Sequence, residues 1–177
     1  MIFTETAIAG AFLIEVERRE DERGFFARSF CENEFRAHGL EPRVAQCNIS
    51  WNGAAGTLRG LHYQAAPHGE TKIVRCTNGG IWDVILDLRP ESATYRQWTG
   101  VDLTDENRRA IYIPHGVAHG FITRTDDAEV LYMMGEAYVE GAARGVVWND
   151  PAFAIQWPVE PVVISERDRS YPRWTLS

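Results

Sequence analysis

Lysine is almost missing from this 177-residue chain: of its eighteen basic side chains only Lys72 is a lysine, and the rest are arginine. The two are not equivalent donors, so a compact ammonium kept at one place in an arginine-rich chain points to a task there. The plain alternative is a lysine left over by base composition. Cysteine is scarce as well. Cys31, Cys47 and Cys76 are odd in number and form no C-x-x-C spacing. That argues against a disulfide framework or a zinc knuckle and for a reducing, cytoplasmic setting. Eighteen consecutive apolar residues occur nowhere, so no membrane-spanning helix is expected. The apolar run at 7–14 lacks a basic leader and passes straight into Glu15-Val16-Glu17-Arg18-Arg19, which reads as a strand and not a signal peptide. No repeat, low-complexity tract or charge block divides the chain, so one domain over 1–177 is expected. The net charge of −7 disfavours nucleic acid or an anionic membrane as partner, while leaving room for a local basic pocket.

Apolar residues make up 45% of the chain, an ordinary share for a globular protein. Short runs of β-branched and aromatic residues recur between turn signals, which favours an all-β fold. Strands are predicted at 12–16, 25–30, 45–49, 57–64, 72–77, 81–88, 97–103, 110–113, 120–123 and 130–135. Asn78-Gly79-Gly80 reads as a tight hairpin turn between two of them. A short helix is predicted over 32–38, stopped by Gly39. Beyond Trp148 the pattern loosens into what resembles a tail wrapping a barrel. Ten short strands in one domain suggest a jelly roll or similar sandwich.

Two histidines draw notice. His62 lies in the strand TLRGLHYQ, on the same face as Gln64. His119 follows the turn Pro114-His115-Gly116. Taken singly, His62 reads better as a hydrogen-bonded core histidine and His119 as one that merely closes a turn. The spacing Pro114-x-Gly116-x-x-His119 resembles the second motif of the cupin barrel. The first motif should supply H-x-H and a later glutamate as metal ligands. Here Gln64 takes the second histidine's place, and Lys72 falls near the glutamate's. An ammonium cannot ligate a cation, and two histidines alone make a poor divalent site. Metal-free chemistry without a cofactor is therefore expected. One tension stays open: Arg59 and His62 are three apart, so a regular strand sends them to opposite faces. Either Gly60 allows a bulge, or Arg59 serves another site.

Nearly end to end, the chain resembles the dTDP-4-dehydrorhamnose 3,5-epimerase family. The segments that carry the resemblance are DERGFF (21–26), Gln46-x-Asn48-x-Ser50, RGLHYQ (59–64), Lys72-Ile73-Val74, DVILDLR (83–89), Ser92-x-Thr94-Tyr95, IPHGVAHGF (113–121), Tyr132 with Tyr138, WNDP (148–151) and SERD (165–168). The resemblance implies a cupin-type jelly-roll homodimer, with a barrel core at about 42–140 and N-terminal strands that cross to the partner and help build its active site. It implies a nucleoside-diphosphate 4-keto-6-deoxyhexose as substrate, inverted at C3, C5 or both. In that family His62 would be the base, Asp168 its orienting carboxylate and Tyr132 the acid. Lys72 would face the C4 carbonyl oxygen. Arg23, Phe26, Arg28, Gln46, Asn48, Arg59, His119 and Arg167 would contact substrate, and Tyr138 would stack on the base. The chemistry suits these types. A ketone acidifies the neighbouring C–H bonds, a histidine backed by a carboxylate can take the proton, and an ammonium stabilises the enolate oxygen.

Two positions depart from the family pattern. Arg28 and Ala143 stand where the family carries glutamates of its nucleotide region. A carboxylate accepts from thymine N3–H, whereas arginine only donates. This substitution suggests a base other than thymine, cytosine first and guanine next; the alternative is that Arg28 turns outward or pairs with an acid, and thymidine still binds. Two other functions compete with the isomerase. A non-catalytic sugar-nucleotide-binding barrel would keep the pocket without the chemistry, and a metal-dependent cupin oxygenase is disfavoured by Gln64 and Lys72.

Overall fold

The structure is a computed structural model and describes residues 1–174. The N-terminal arm carries β1 (Ile2–Glu5), β2 (Phe12–Glu15), β3 (Arg19–Asp21), β4 (Gly24–Phe26) and the helix α1 (Glu32–Ala37). The middle of the chain is almost all strand: β5 (Gln46–Asn52), β6 (Thr57–Gln64), β7 (Lys72–Asn78), β8 (Gly80–Asp87), β9 (Trp98–Thr104), β10 (Ala110–Ile113), β11 (Val117–Thr123) and β12 (Ala128–Met134). Two short strands, β13 (Ala143–Gly145) and β14 (Val163–Ile164), and the one-turn helix α2 (Glu166–Arg169) close it.

Two sheets face each other as a jelly roll. One runs β1-β2-β10-β7-β12-β5, the other β13-β6-β11-β8-β9 with β14 beside β6. Val74, Ile111 and Val130 from the first sheet meet Ile81, Ile85 and Phe121 from the second in a core closed to solvent. Each such side chain contributes about 1.5–3 kcal/mol on burial. Strand β8 is buried on both faces, which is why it reads as a continuous apolar run and not an alternation. Its outer residues Val84 and Leu86 are covered by the C-terminal segment through Phe153, Trp157 and Trp174. That same segment brings α2 back beside β6, where Val163 pairs Thr57 in parallel.

Most predicted strands lie where expected, with shifted ends. The turn at Asn78-Gly79-Gly80 is the main correction. Gly79 does take a positive φ of 72°, but β7 and β8 are not paired. Both edges of β7 are occupied, by β10 and β12, so the turn carries the chain from one sheet to the other. The strand predicted at 25–30 is only Gly24–Phe26, paired with β3 in a ribbon apart from both sheets. Strands β1, β3, β13 and β14 were not predicted; they are two to four residues long, too short to show a period. Helix α1 ends close to expectation, with Gly39 at φ 70° and its N–H returned to the carbonyl of Arg36. Phe35 anchors it, fully buried against Phe3, Phe30 and Tyr112.

Candidate active site

The site is built around an irregularity in β6. His62 pairs with His119, and Arg59 pairs with Phe121, so Gly60 and Leu61 together oppose the single residue Gly120. This is a bulge, and it resolves the parity conflict: the extra residue lets Arg59 and His62, three apart, line the same space. Glycine is required on both sides. Gly60 has φ 122°, and a Cβ there would lie 2.5 Å from the Cα of Gly120. The freed N–H of Gly60 donates to Asp168 Oδ2 at 3.2 Å.

The space they line is a cavity of about 540 Å³ between the two sheets. Strand β5 contributes Gln46 and Asn48, which face inward together two residues apart. Strand β6 contributes Arg59 and His62, β7 Lys72, β11 His119 and β12 Tyr132, while Tyr138 and Arg167 close the rim. Arg144 also faces in, so three guanidiniums and one ammonium meet in a chain of net charge −7. Such a concentration of cations favours an anionic ligand.

Behind the cavity wall sit two histidine–aspartate pairs. His62 Nε2 is 2.6 Å from Asp168 Oδ1, which leaves Nδ1 to exchange a proton. Asp168 is held by a local device: Ser165 caps α2, its Oγ accepting the Asp168 N–H at 3.1 Å. Burial would raise the Asp168 carboxyl, but hydrogen bonds from His62, Gly60 and Ser165 outweigh it and hold the group below its ordinary value. In the second pair His119 Nε2 is 2.7 Å from Asp83 Oδ2. Asp83 is fully buried, its Oδ1 has no hydrogen-bond partner among the described residues, and burial pushes its carboxyl up.

Lys72 is 5% exposed and in ionic contact with Glu70. Burial pushes its ammonium below the ordinary lysine value, against the pull of Glu70. Burial also raises the Tyr132 phenol well above its usual range, so it stays protonated; among the described residues its hydroxyl meets only Ser50 Oγ, at 3.5 Å. Gln64 does not face a ligand freely. Its amide donates to the carbonyls of His68 and Ala137 and accepts the Val139 N–H, pinning the two loops that flank Lys72 and Tyr138. Among the described residues no three His, Cys, Asp or Glu side chains are grouped closely enough to hold a metal ion.

Three expected contacts lie elsewhere in the chain. Arg23 and Phe26 sit on the exposed β3–β4 ribbon, Arg23 paired with Asp21 and Phe26 75% exposed. Arg28 pairs with Glu34 at 2.6 Å, outside the cavity. Its guanidinium is paired with an acid of α1, as the alternative reading had it, while Ala143, the other departure, does line the cavity but offers no donor to a base, so the expectation of a non-thymine base is not supported. Sequence reasoning missed Glu70, Asp83 and Tyr171, whose ring meets His62 edge-on at 5.8 Å and whose hydroxyl accepts from Arg167 Nε at 2.8 Å. Asp83 had a readable signal, an acid inside a strand that is otherwise apolar up to its terminal Asp87.

A jelly roll whose inner cavity carries a histidine–aspartate pair, a buried ammonium and a phenol among several cations is consistent with a cupin-type carbohydrate epimerase. The chain belongs to the dTDP-4-dehydrorhamnose 3,5-epimerase family, whose pattern matches residues 5–175, and it is an isomerase. A curated dTDP-4-dehydrorhamnose 3,5-epimerase of Methanothermobacter thermautotrophicus is 46% identical over 173 residues, 96% of this chain and 92% of the relative. The crystal structure of the Bacillus anthracis enzyme with TDP and PPi bound is 39% identical, with a TM-score of 0.94 over 98% of this chain and 99% of that one. ChmJ, a 3'-monoepimerase from Streptomyces bikiniensis solved with dTDP-quinovose, is 33% identical with a TM-score of 0.87, covering 95% of this chain and 85% of its own.

Proposed function

We propose that the chain epimerises a dTDP-linked 4-keto-6-deoxyhexose at C3, at C5 or at both, as its relatives' names describe. The observation that carries this reading is the convergence of His62, Lys72 and Tyr132 on one cationic cavity with Asp168 behind the histidine. His62 Nδ1 takes the proton from the carbon beside the ketone, and the C–H electron pair moves into the C4 oxygen as an enolate. Asp168, kept ionised, stabilises the imidazolium that forms. Lys72, buried at the floor of the cavity, faces the enolate oxygen, and a fixed cation in such surroundings acts more strongly than one in water. Tyr132 then delivers its proton to the opposite face of the same carbon, the ketone reforms and the centre is inverted. Arg59, Arg144 and Arg167 supply the charge that a nucleoside diphosphate needs.

The same reading makes the protein a homodimer. Among the described residues strand β5 has a partner on one edge only, and it exposes Trp51, 62% accessible, and Ile49, 64% accessible at the cavity's edge. Such an edge is a natural place for a second copy to pair. The β3–β4 ribbon would then bring Arg23 and Phe26 to the partner's cavity. Incubation of a dTDP-4-keto-6-deoxyhexose with the protein in heavy water should place deuterium at C3 or C5, and His62→Ala should stop labelling while the protein stays folded. No label, or labelling by the His62→Ala variant at the parental rate, refutes the assignment. Binding of TDP ahead of CDP, UDP and GDP is expected.

A further inference from the structure

Glu70 lies in the cavity and has no part in the reaction just described. It sits on the loop entering β7, two residues before Lys72, so an extended backbone turns both side chains to one face. The two are in direct ionic contact, with 7% and 6% of their side chains exposed. Among the described residues, Glu70 is the only carboxylate lining the cavity.

The other charged and titratable groups around Lys72 offer it no counter-ion. Arg59 on β6, Arg144 on β13 and Arg167 on α2 are cations. His62 and His119 add positive charge when protonated, and their partners Asp168 and Asp83 are each held by a histidine. Tyr63, Tyr132 and Tyr138 are phenols at the cavity wall. The strands that flank β7 place Ile113 and Met134 opposite Lys72, neither of which carries charge. An ammonium buried among cations and apolar groups would shed its proton, since burial alone lowers a lysine by units. Burial does push Lys72 down, and Glu70 is what opposes it.

We propose that Glu70 is the positioning residue of Lys72, keeping the sole lysine protonated and fixed inside the cavity so that its charge is in place before the enolate forms. An ammonium has three N–H donors; one engaged by Glu70 leaves two for the ketone oxygen. This rests on the epimerase reading for its purpose, but its physical content concerns the amine alone.

Because the chain has a single lysine, lysine labelled with 13C and 15N gives one side-chain signal in the full-length protein, and its pH titration can be followed without substrate. The parent signal should report an ammonium throughout neutral pH. In Glu70→Gln, which preserves shape and removes the charge, the midpoint should fall by about 1–3 units. The alkaline limb of solvent exchange into the sugar should move to lower pH with it, because the ammonium is then lost earlier. Should Glu70→Gln fail to fold, Glu70→Asp keeps the charge on a shorter arm and should lower the midpoint in the same direction by less. A midpoint unmoved in the folded variant, or a parent amine already neutral at pH 7, overturns the proposal. A parent that titrates as expected yet labels no sugar would instead sink the epimerase reading and leave this one standing.

Discussion

Placing a methyl group on Gly60 should damage both stability and chemistry, by amounts the bulge sets. The residue has φ 122°, a region that side chains other than glycine rarely enter, and a Cβ would meet Gly120 Cα at 2.5 Å and the His119 carbonyl oxygen at 2.8 Å. Neither obstacle is a side chain that can swing aside. The backbone strain costs about 1–3 kcal/mol, and the forced overlap costs a further amount of about 1–3 kcal/mol. Against a total stability of about 5–15 kcal/mol, Gly60→Ala should still fold, with a loss of about 2–6 kcal/mol. Gly39→Ala separates the two contributions: its φ is 70°, and nothing lies within 4 Å of the added Cβ. It should cost only about 1–2 kcal/mol. Gly141→Ala, with an unstrained φ and open space, should be close to neutral. Urea unfolding at one protein concentration measures all three, and an unchanged slope certifies that stability alone has shifted. Solvent exchange into the sugar should fall in Gly60→Ala further than the folded fraction does, because the Gly60 N–H that steadies Asp168 moves with the bulge. A loss below about 0.5 kcal/mol, the range of indifferent surface changes, would refute the account of the bulge.

Removing only the hydroxyl in Tyr132→Phe should separate proton removal from inversion: His62 still abstracts and returns solvent deuterium to the same face, while inversion slows about 10²–10⁴-fold. NMR of the product distinguishes the two, and inversion at the parental rate would exclude Tyr132 as the acid. Asp87 is buried, and although burial alone would raise its carboxyl, hydrogen bonds from Arg89, Ser92 and Thr94 hold it below the ordinary value. Its stabilisation is therefore complete above the unfolded value near 3.9 and lost as pH falls through the folded one. Asp87→Asn should cost about 1–3 kcal/mol at pH 7 and flatten the fall in stability below about pH 4, as thermal melts across pH would show. Cys76 is buried, and its thiol is pushed up to about 11, chiefly by burial. A thiol reagent at neutral pH should modify it only after unfolding, and rapid native labelling would mean the core opens there.

The barrel was legible because its strands are long enough to carry a period. Thr57–Gln64 and Ala110–Ile113 have the predicted ends, and the flanks of the others moved by a few residues. What could not be read was pairing. Nothing in Asn78-Gly79-Gly80 says whether the next strand returns alongside β7 or crosses to the opposite sheet; that depends on β10 and β12 having already taken both edges of β7. The site shows the same division. His62, Lys72, Tyr132 and Asp168 could be named from the family's motifs, and the Gly60 bulge was one of two open explanations for Arg59. Glu70 was missed although it stands two residues before the sole lysine, a spacing that puts both on one face. The two readings of Arg28 could not be separated because its charge is legible in the sequence and its neighbour is not; Glu34, six residues on in a helix, pairs with it.

Two histidines in one cavity, each against an aspartate, raise the question of which can serve as base, and their surroundings differ in the respects that decide it. The Asp168 carboxylate receives hydrogen bonds from His62 and from the Gly60 N–H, both of which favour its charged form, and its backbone N–H is fixed by the Ser165 cap of α2. A base gains its proton only if the resulting imidazolium is stabilised, and an aspartate held ionised does that. Asp83 has one oxygen without a partner and a carboxyl that burial pushes upward, so it is the poorer counter-ion. His119 is 4% exposed, whereas 40% of the His62 side chain is open to the cavity, where a sugar ring could present a C–H bond to the free Nδ1. In the proposed reaction abstraction therefore falls to His62, and His119 has a hydrogen-bonding role beside the ring of Tyr132, 6.0 Å away centroid to centroid. The asymmetry does not come from the histidines themselves but from what stands behind them: a carboxylate with both oxygens hydrogen-bonded in one pair, and in the other a carboxylate with one oxygen that finds no partner among the described residues.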